Sequence, residues 1–150
     1  MVDASKIVRK NPLFFAFLSP ALTDGLITLL GQSSQYWNGG KTVNEASPAY
    51  FFLLASPWVY SIGVILWFIF WYWVFKKIKE PFNLFLMFTF IAAHSWGSGG
   101  WIKKFISENG FYTIENQVRM FLGWGLIIAY FFLIAVSATY CLRIYLKEQR

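Results

Sequence analysis

Charge is what this 150-residue chain has least of, with 13% of its residues charged against 57% hydrophobic and 22% aromatic. That balance excludes an ordinary soluble domain, in which about a quarter of the residues are charged. Lipid is the expected main solvent. Cysteine occurs once, at Cys141, which excludes an intramolecular disulfide and a thiolate-rich zinc site and leaves a small apolar filler near a helix end. Histidine also occurs once, at His94, so a shell of Asp24, Glu45 and His94 is short of ligands, and neither an intrinsic metal nor an intrinsic cofactor is expected. No nucleophile elbow surrounds any serine. The run Gly97-Ser98-Gly99-Gly100 lacks the lysine and the preceding strand of a phosphate loop. It either allows close helix approach or ends a helix, and Gly123, Gly125 and Ala129 suggest close packing further on. No residue is assigned a catalytic role.

Basic residues outnumber acidic ones by 13 to 7, a net charge of +6. They stand at the ends of apolar runs and not on one face, so no nucleic-acid partner is expected. Anionic headgroups are the natural counterpart, at about 1 kcal/mol per basic residue near the surface. Lys6, Arg9 and Lys10 ahead of an apolar stretch resemble a signal peptide. Pro20 and Asp24 interrupt that stretch and no small-x-small site follows, so it reads as a retained first span.

Four apolar runs, at about 13–31, 49–75, 82–101 and 120–141, are each long enough as helix to cross a hydrocarbon core of about 30 Å. An unpaired backbone group in lipid costs several kcal/mol, which favours helices, and the short alternating strands of a barrel are absent. The expected architecture is all-α: an integral membrane four-helix bundle filling residues 1–150 as a single transmembrane domain. The clusters Lys6/Arg9/Lys10, Lys76/Lys77/Lys79 and Arg143/Lys147/Arg150 fall on one side of a four-span chain. The positive-inside rule makes that side cytoplasmic, giving an N-in/C-in multi-pass protein of a cell membrane, the prokaryotic cytoplasmic membrane being the expected one. Lys103 and Lys104 lie on the other side, in a loop shared with Glu108 and Glu115.

Glu80-Pro81 marks a tight turn that should make the second and third spans antiparallel neighbours, and Ser47-Pro48 marks entry to the second. Ser56-Pro57 is expected to kink the second span; the alternative is an interfacial segment over 49–56 with the span starting at Pro57. Trp67, Phe68, Phe70, Trp71, Tyr72, Trp73 and Phe75, beside the lysines, read as an interfacial belt. Residues 32–48 and 103–119 read as outer loops, the latter with a short surface helix before Asn109-Gly110.

Asp24 is the most informative residue, because a carboxylate within a span costs about 2.5 to 3.5 kcal/mol on insertion scales and needs a compensating environment. Ser19, Thr23 and Thr28 give its helix a polar stripe. His94 sits near the middle of the third span, with Thr89, Ser95 and Ser98 on adjoining turns. Asp24 and His94 each lie roughly 17 Å from the cytoplasmic end of their spans, so they can meet at one depth. Such a contact fixes the imidazole tautomer and creates a site for proton exchange. A satisfied core histidine and a helix-to-helix hydrogen bond are the competing readings. Asp24, His94, Thr28 and Ser95 are therefore the intramembrane candidates for a proton or ligand site, with Asn44 and Glu45 as candidates in the outer loop.

The spacing Asp24-x-x-x-Thr28 in the first span, followed by Asn44-Glu45-Ala46-Ser47-Pro48 before the second, resembles a family of small uncharacterised prokaryotic integral membrane proteins. That family carries Asp-x-x-x-Thr and Glu-Ala-Asn-Pro at these places. The resemblance covers about a third of the chain and departs at Ser47, where the family has asparagine. It implies a compact four-span fold with Asp24 and Glu45 near the outer face, and no established activity. The leading functional expectation is a non-catalytic accessory subunit of a larger membrane complex, such as a respiratory or metal-dependent oxidoreductase. Its partners would be other transmembrane subunits and membrane lipids, with lipid bound to the chain. The alternatives are a small homo-oligomeric transporter or proton-coupled carrier using Asp24 and His94, and a lipid-directed enzyme with Glu45 or His94 as general base.

Overall fold

A computed structural model describes residues 4–111 and 115–148, and every regular element among them is a helix. Arg150 and residues 112–114, within the stretch read from sequence as the second outer loop, lie outside the described residues. After a short α1 (Ala4–Arg9), α2 (Pro12–Leu30) covers the first apolar run, opening with proline at its first position, where the missing N–H costs no hydrogen bond. The one-turn α3 (Ser34–Trp37) interrupts the stretch read as loop, because Ser33 caps it through the Tyr36 N–H.

The expected kink at Ser56-Pro57 is instead a full break. α4 (Ala49–Ala55) ends, Ser56 is extended, and α5 (Pro57–Lys77) begins with the Ser56 hydroxyl accepting from the Val59 N–H at 3.0 Å. An N-cap serine followed by proline is a stronger start signal than the apolar run is a continuation signal. α4 folds back so that Phe52 lies over Gly63. Leu53, Tyr36 and Tyr60 form a small core there, with the Tyr36 hydroxyl donating to the Leu53 carbonyl at 3.0 Å.

α6 (Phe82–Glu108) runs seven residues past the expected end at 101, straight through Gly97-Ser98-Gly99-Gly100. That glycine run does not end the helix, and no separate surface helix precedes Asn109-Gly110. The stop comes at Gly110, whose φ of +73° suits only glycine without strain. α7 (Gln117–Glu148) likewise absorbs most of the tail that follows the fourth apolar run. α2, α5 and α7 are long and apolar enough to cross a membrane. α6 is long but carries more polar residues.

α2 is the central helix, with 39% of its apolar window buried against 11% for α5 and α7. The main core gathers Phe14, Phe17 and Ala21 of α2, Phe75 of α5, Met87 of α6 and Cys141 of α7. At one end the Asn11 side-chain amide donates to the Tyr72 carbonyl, and Asn83 donates to the Tyr145 hydroxyl, which itself donates to Glu80, each at 2.8 Å. These bonds tie the start of α2, the end of α5, the start of α6 and the end of α7 together. Lys6, Arg9, Lys10, Lys76, Lys77, Lys79, Arg143 and Lys147 consequently gather at one end of the molecule.

The aromatic block on α5 divides between two faces. Trp67, Phe68, Trp71, Tyr72 and Phe75 pack on or within the main core, whereas Phe70 and Trp73 are exposed. Phe90 of α6 is in ring contact with Trp67, Trp71 and Phe75. α5 and α6 thus meet through large side chains, while α6 lays its backbone chiefly along α2. Backbones held apart at this level leave room for a cavity above it.

Candidate functional site

That cavity, of about 1090 Å³, lies between α2, α5, α6 and the loop before α4. Asp24 and His94 both line it. Asp24 is twelve residues into α2 and His94 twelve into α6, about 18 Å along each helix. Their side chains meet, with His94 Nδ1 at 2.9 Å from Asp24 Oδ2 and about a quarter of each side chain accessible. A carboxylate on Nδ1 fixes the ring orientation and leaves Nε2 as the nitrogen available to a ligand. The Trp67 and His94 rings meet in a T-shaped arrangement with centroids 5.2 Å apart.

The close approach of α2 and α6 depends on Gly97. A Cβ there would lie 2.5 Å from Asp24 Oδ1 and 3.0 Å from Oδ2, so no side chain fits while the carboxylate holds its place. The Tyr60 hydroxyl donates to the Gly25 carbonyl at 3.0 Å, beside Asp24 in sequence, and fixes α5 against α2. Thr28, buried one turn beyond Asp24, lines the same cavity.

Glu45 and Asn44 reach the cavity from the loop. Glu45 Oε1 accepts from the Ala46 and Ser47 N–H groups at 2.9 and 2.8 Å, closing its own turn. Gln32, buried at the end of α2, accepts from the Asn44 N–H at 2.8 Å and donates to the Thr28 carbonyl at 2.7 Å. A single side chain therefore pins the loop to the helix that carries Asp24. Both sequence motifs, Asp24-x-x-x-Thr28 and Asn44-Glu45-Ala46-Ser47-Pro48, line one space.

Not every sequence candidate belongs there. Ser95 is 6% exposed, does not line the cavity, and its hydroxyl has no partner among the described residues. Thr23 bonds back to the Ser19 carbonyl of its own helix, and Thr89 is exposed. Ser98 donates to the His94 carbonyl at 2.5 Å and makes a short contact with the Tyr130 hydroxyl, which ties α7 to the turn carrying His94. Sequence reasoning missed Gln32, Tyr60, Trp67 and Trp101. Only Tyr60 and Gln32 carried a signal, as polar groups at span ends. Gly123 packs closely, against the Phe111 carbonyl and Ile106, whereas Gly125 faces open space and Ala129 is exposed. No cluster of His, Cys, Asp and Glu among the described residues has the count for a metal site.

Against known protein families, curated proteins and solved structures, the chain shows no significant match.

Proposed function

We propose that this chain is a four-span protein of a prokaryotic cytoplasmic membrane, N-in/C-in, that takes a small ligand into the cavity from the outer side and exchanges a proton at the Asp24–His94 pair, as a proton-coupled carrier does. The observation that carries this reading is the 2.9 Å contact between the sole histidine and the only carboxylate of α2, made inside a cavity and not in a sealed core. A histidine kept purely for packing needs no such access. α6 serves as the remaining span, its polar residues set against α2 and the cavity, and its length of about 40 Å carries Lys103 to Glu108 beyond the hydrocarbon. The basic end of the bundle faces the cytoplasm. Phe17, Trp67, Trp71, Phe75 and Phe90 form a cluster of edge-to-face and tilted rings between the Asp24–His94 level and that end, which in this reading acts as the plug. The arrangement corresponds to a site open to one side of a membrane.

The test uses Trp67 as reporter, because an imidazolium in ring contact with it quenches indole emission. Emission of the purified protein is expected to fall as the pH is lowered from 8 to 5. The fall should be absent in His94→Gln and in Trp67→Phe, which separates it from the other seven of the eight tryptophans. Equal quenching in wild type and His94→Gln would overturn the proton-exchange reading.

A second reading is favoured by a different observation. α5 and α7 bury only 11% of their apolar windows within the chain, leaving two broad apolar faces. In an accessory subunit of a membrane complex those faces seat partner helices. Mild-detergent isolation followed by mass spectrometry separates the two readings, since stoichiometric larger subunits support the second and a lone oligomer supports the first.

A further inference from the structure

We infer that the ligand of this cavity is a lipophilic organic cation, bound in exchange for the proton on the Asp24–His94 pair; the inference rests on the carrier reading above. Three observations on the lining carry it. The cavity is lined by two carboxylates, Asp24 on α2 and Glu45 on the loop, against one lysine, Lys104. That lysine is engaged on its own helix, 3.8 Å from Glu108 and 4.9 Å over the Trp101 ring. The walls between these charges are aromatic, with Phe52, Tyr60, Trp67, Phe68, Trp96 and Trp101 all reaching the space.

Aromatic faces beside a carboxylate favour a cation that is itself greasy, because the negative face of the ring quadrupole attracts positive charge while the ring excludes water. A carboxylate-bearing anion would meet Asp24 and Glu45 with no free cationic partner. The cavity volume of about 1090 Å³ suits a drug-sized molecule and is far beyond what an inorganic ion needs.

The exchange follows from charge. With His94 protonated, the pair Asp24–His94 is neutral overall; with His94 neutral, it carries one negative charge. An arriving cation favours the second state, so the proton leaves the imidazole for outer bulk water as the cation enters, and returns when the cation departs. The other titratable groups facing this pair are Glu45 from the loop, Tyr60 of α5, Lys104 of α6 and, through Ser98, Tyr130 of α7. The proton exchanged in this proposal is the one on the imidazole, whose gain or loss changes the charge of the pair.

The experiment compares tetraphenylphosphonium with tetraphenylborate, which share a shape and differ in the sign of charge. Saturable binding of each to the detergent-purified chain is measured by equilibrium dialysis from pH 5 to 8, alongside Trp67 emission. The cation is expected to bind saturably, with affinity falling about tenfold per pH unit on the acid side, the signature of one proton displaced. Asp24→Asn should weaken it by more than about tenfold. Glu45→Gln, at the loop and away from the helix packing, should weaken it less and serves if Asp24→Asn does not fold. Borate bound as tightly as the phosphonium overturns the cation assignment, and so does phosphonium binding that ignores pH in wild type. The proton reading fails separately, if Trp67 emission in the unliganded wild type does not respond to pH.

Discussion

Replacing Gly97 with alanine tests the helix contact that holds the site together. The added Cβ would stand 2.5 Å from Asp24 Oδ1, and an ordinary carbon–oxygen contact needs about 3.3 Å. The carboxylate must therefore retreat by about 0.8 Å, or α6 must move away from α2. Either movement stretches the 2.9 Å bond to His94 beyond useful hydrogen-bonding distance, about 3.5 Å. Loss of a charge-assisted hydrogen bond costs about 1.5 to 3 kcal/mol, and overpacking a tight contact adds about 1 to 3 kcal/mol. Alanine offsets about 1 kcal/mol of this through its better helix propensity. The net expectation is a loss of about 1.5 to 5 kcal/mol, read from denaturant unfolding in detergent. Gly125→Ala on α7, where a Cβ meets nothing within 4 Å, is the control and should be neutral or slightly stabilising. A Gly97→Ala protein as stable as Gly125→Ala, with Trp67 emission still responding to acid, would refute the packing described here.

Other expectations follow from individual contacts. Ser56→Ala removes the cap on the Val59 N–H and should cost about 1 kcal/mol, seen as faster hydrogen exchange over the first turn of α5. Gln32→Leu leaves the Asn44 N–H without its partner and should cost about 1 to 3 kcal/mol, with protease cleavage appearing between residues 38 and 48 before the helices unfold. Tyr36→Phe removes the donor to the Leu53 carbonyl and should cost about 1 kcal/mol, visible as loosening of α4 while α2 and α6 keep their exchange protection.

The helices and the equal depth of Asp24 and His94 were legible because long apolar runs fix helix and position along it together. Their contact was not, since equal depth leaves open which faces two helices turn to each other, and only the structure brings the side chains to 2.9 Å. The break at Ser56 was harder to read because the apolar pattern continues across it, and only the serine cap with the following proline signals the stop. α6 outran its apolar run because Lys103, Lys104 and Glu108 are good helix formers that need no lipid. The cavity was not legible at all. It exists because Trp67 and Trp71 hold α5 away from α6, and the block that contains them carries the same composition as a surface belt. The closure of the loop through Gln32 was hidden for a similar reason, since one glutamine at a span end gives no sign of what it will bond.

A single histidine makes one measurement unusually direct: ¹⁵N spectroscopy of the imidazole in protein labelled only at histidine, with and without Asp24→Asn. When the imidazole is neutral its proton is expected on Nδ1, facing Asp24, with a change of tautomer population when the carboxylate becomes an amide. A neutral wild-type imidazole that carries its proton on Nε2, or a spectrum that Asp24→Asn leaves unchanged, would contradict the pairing on which the proposed function stands.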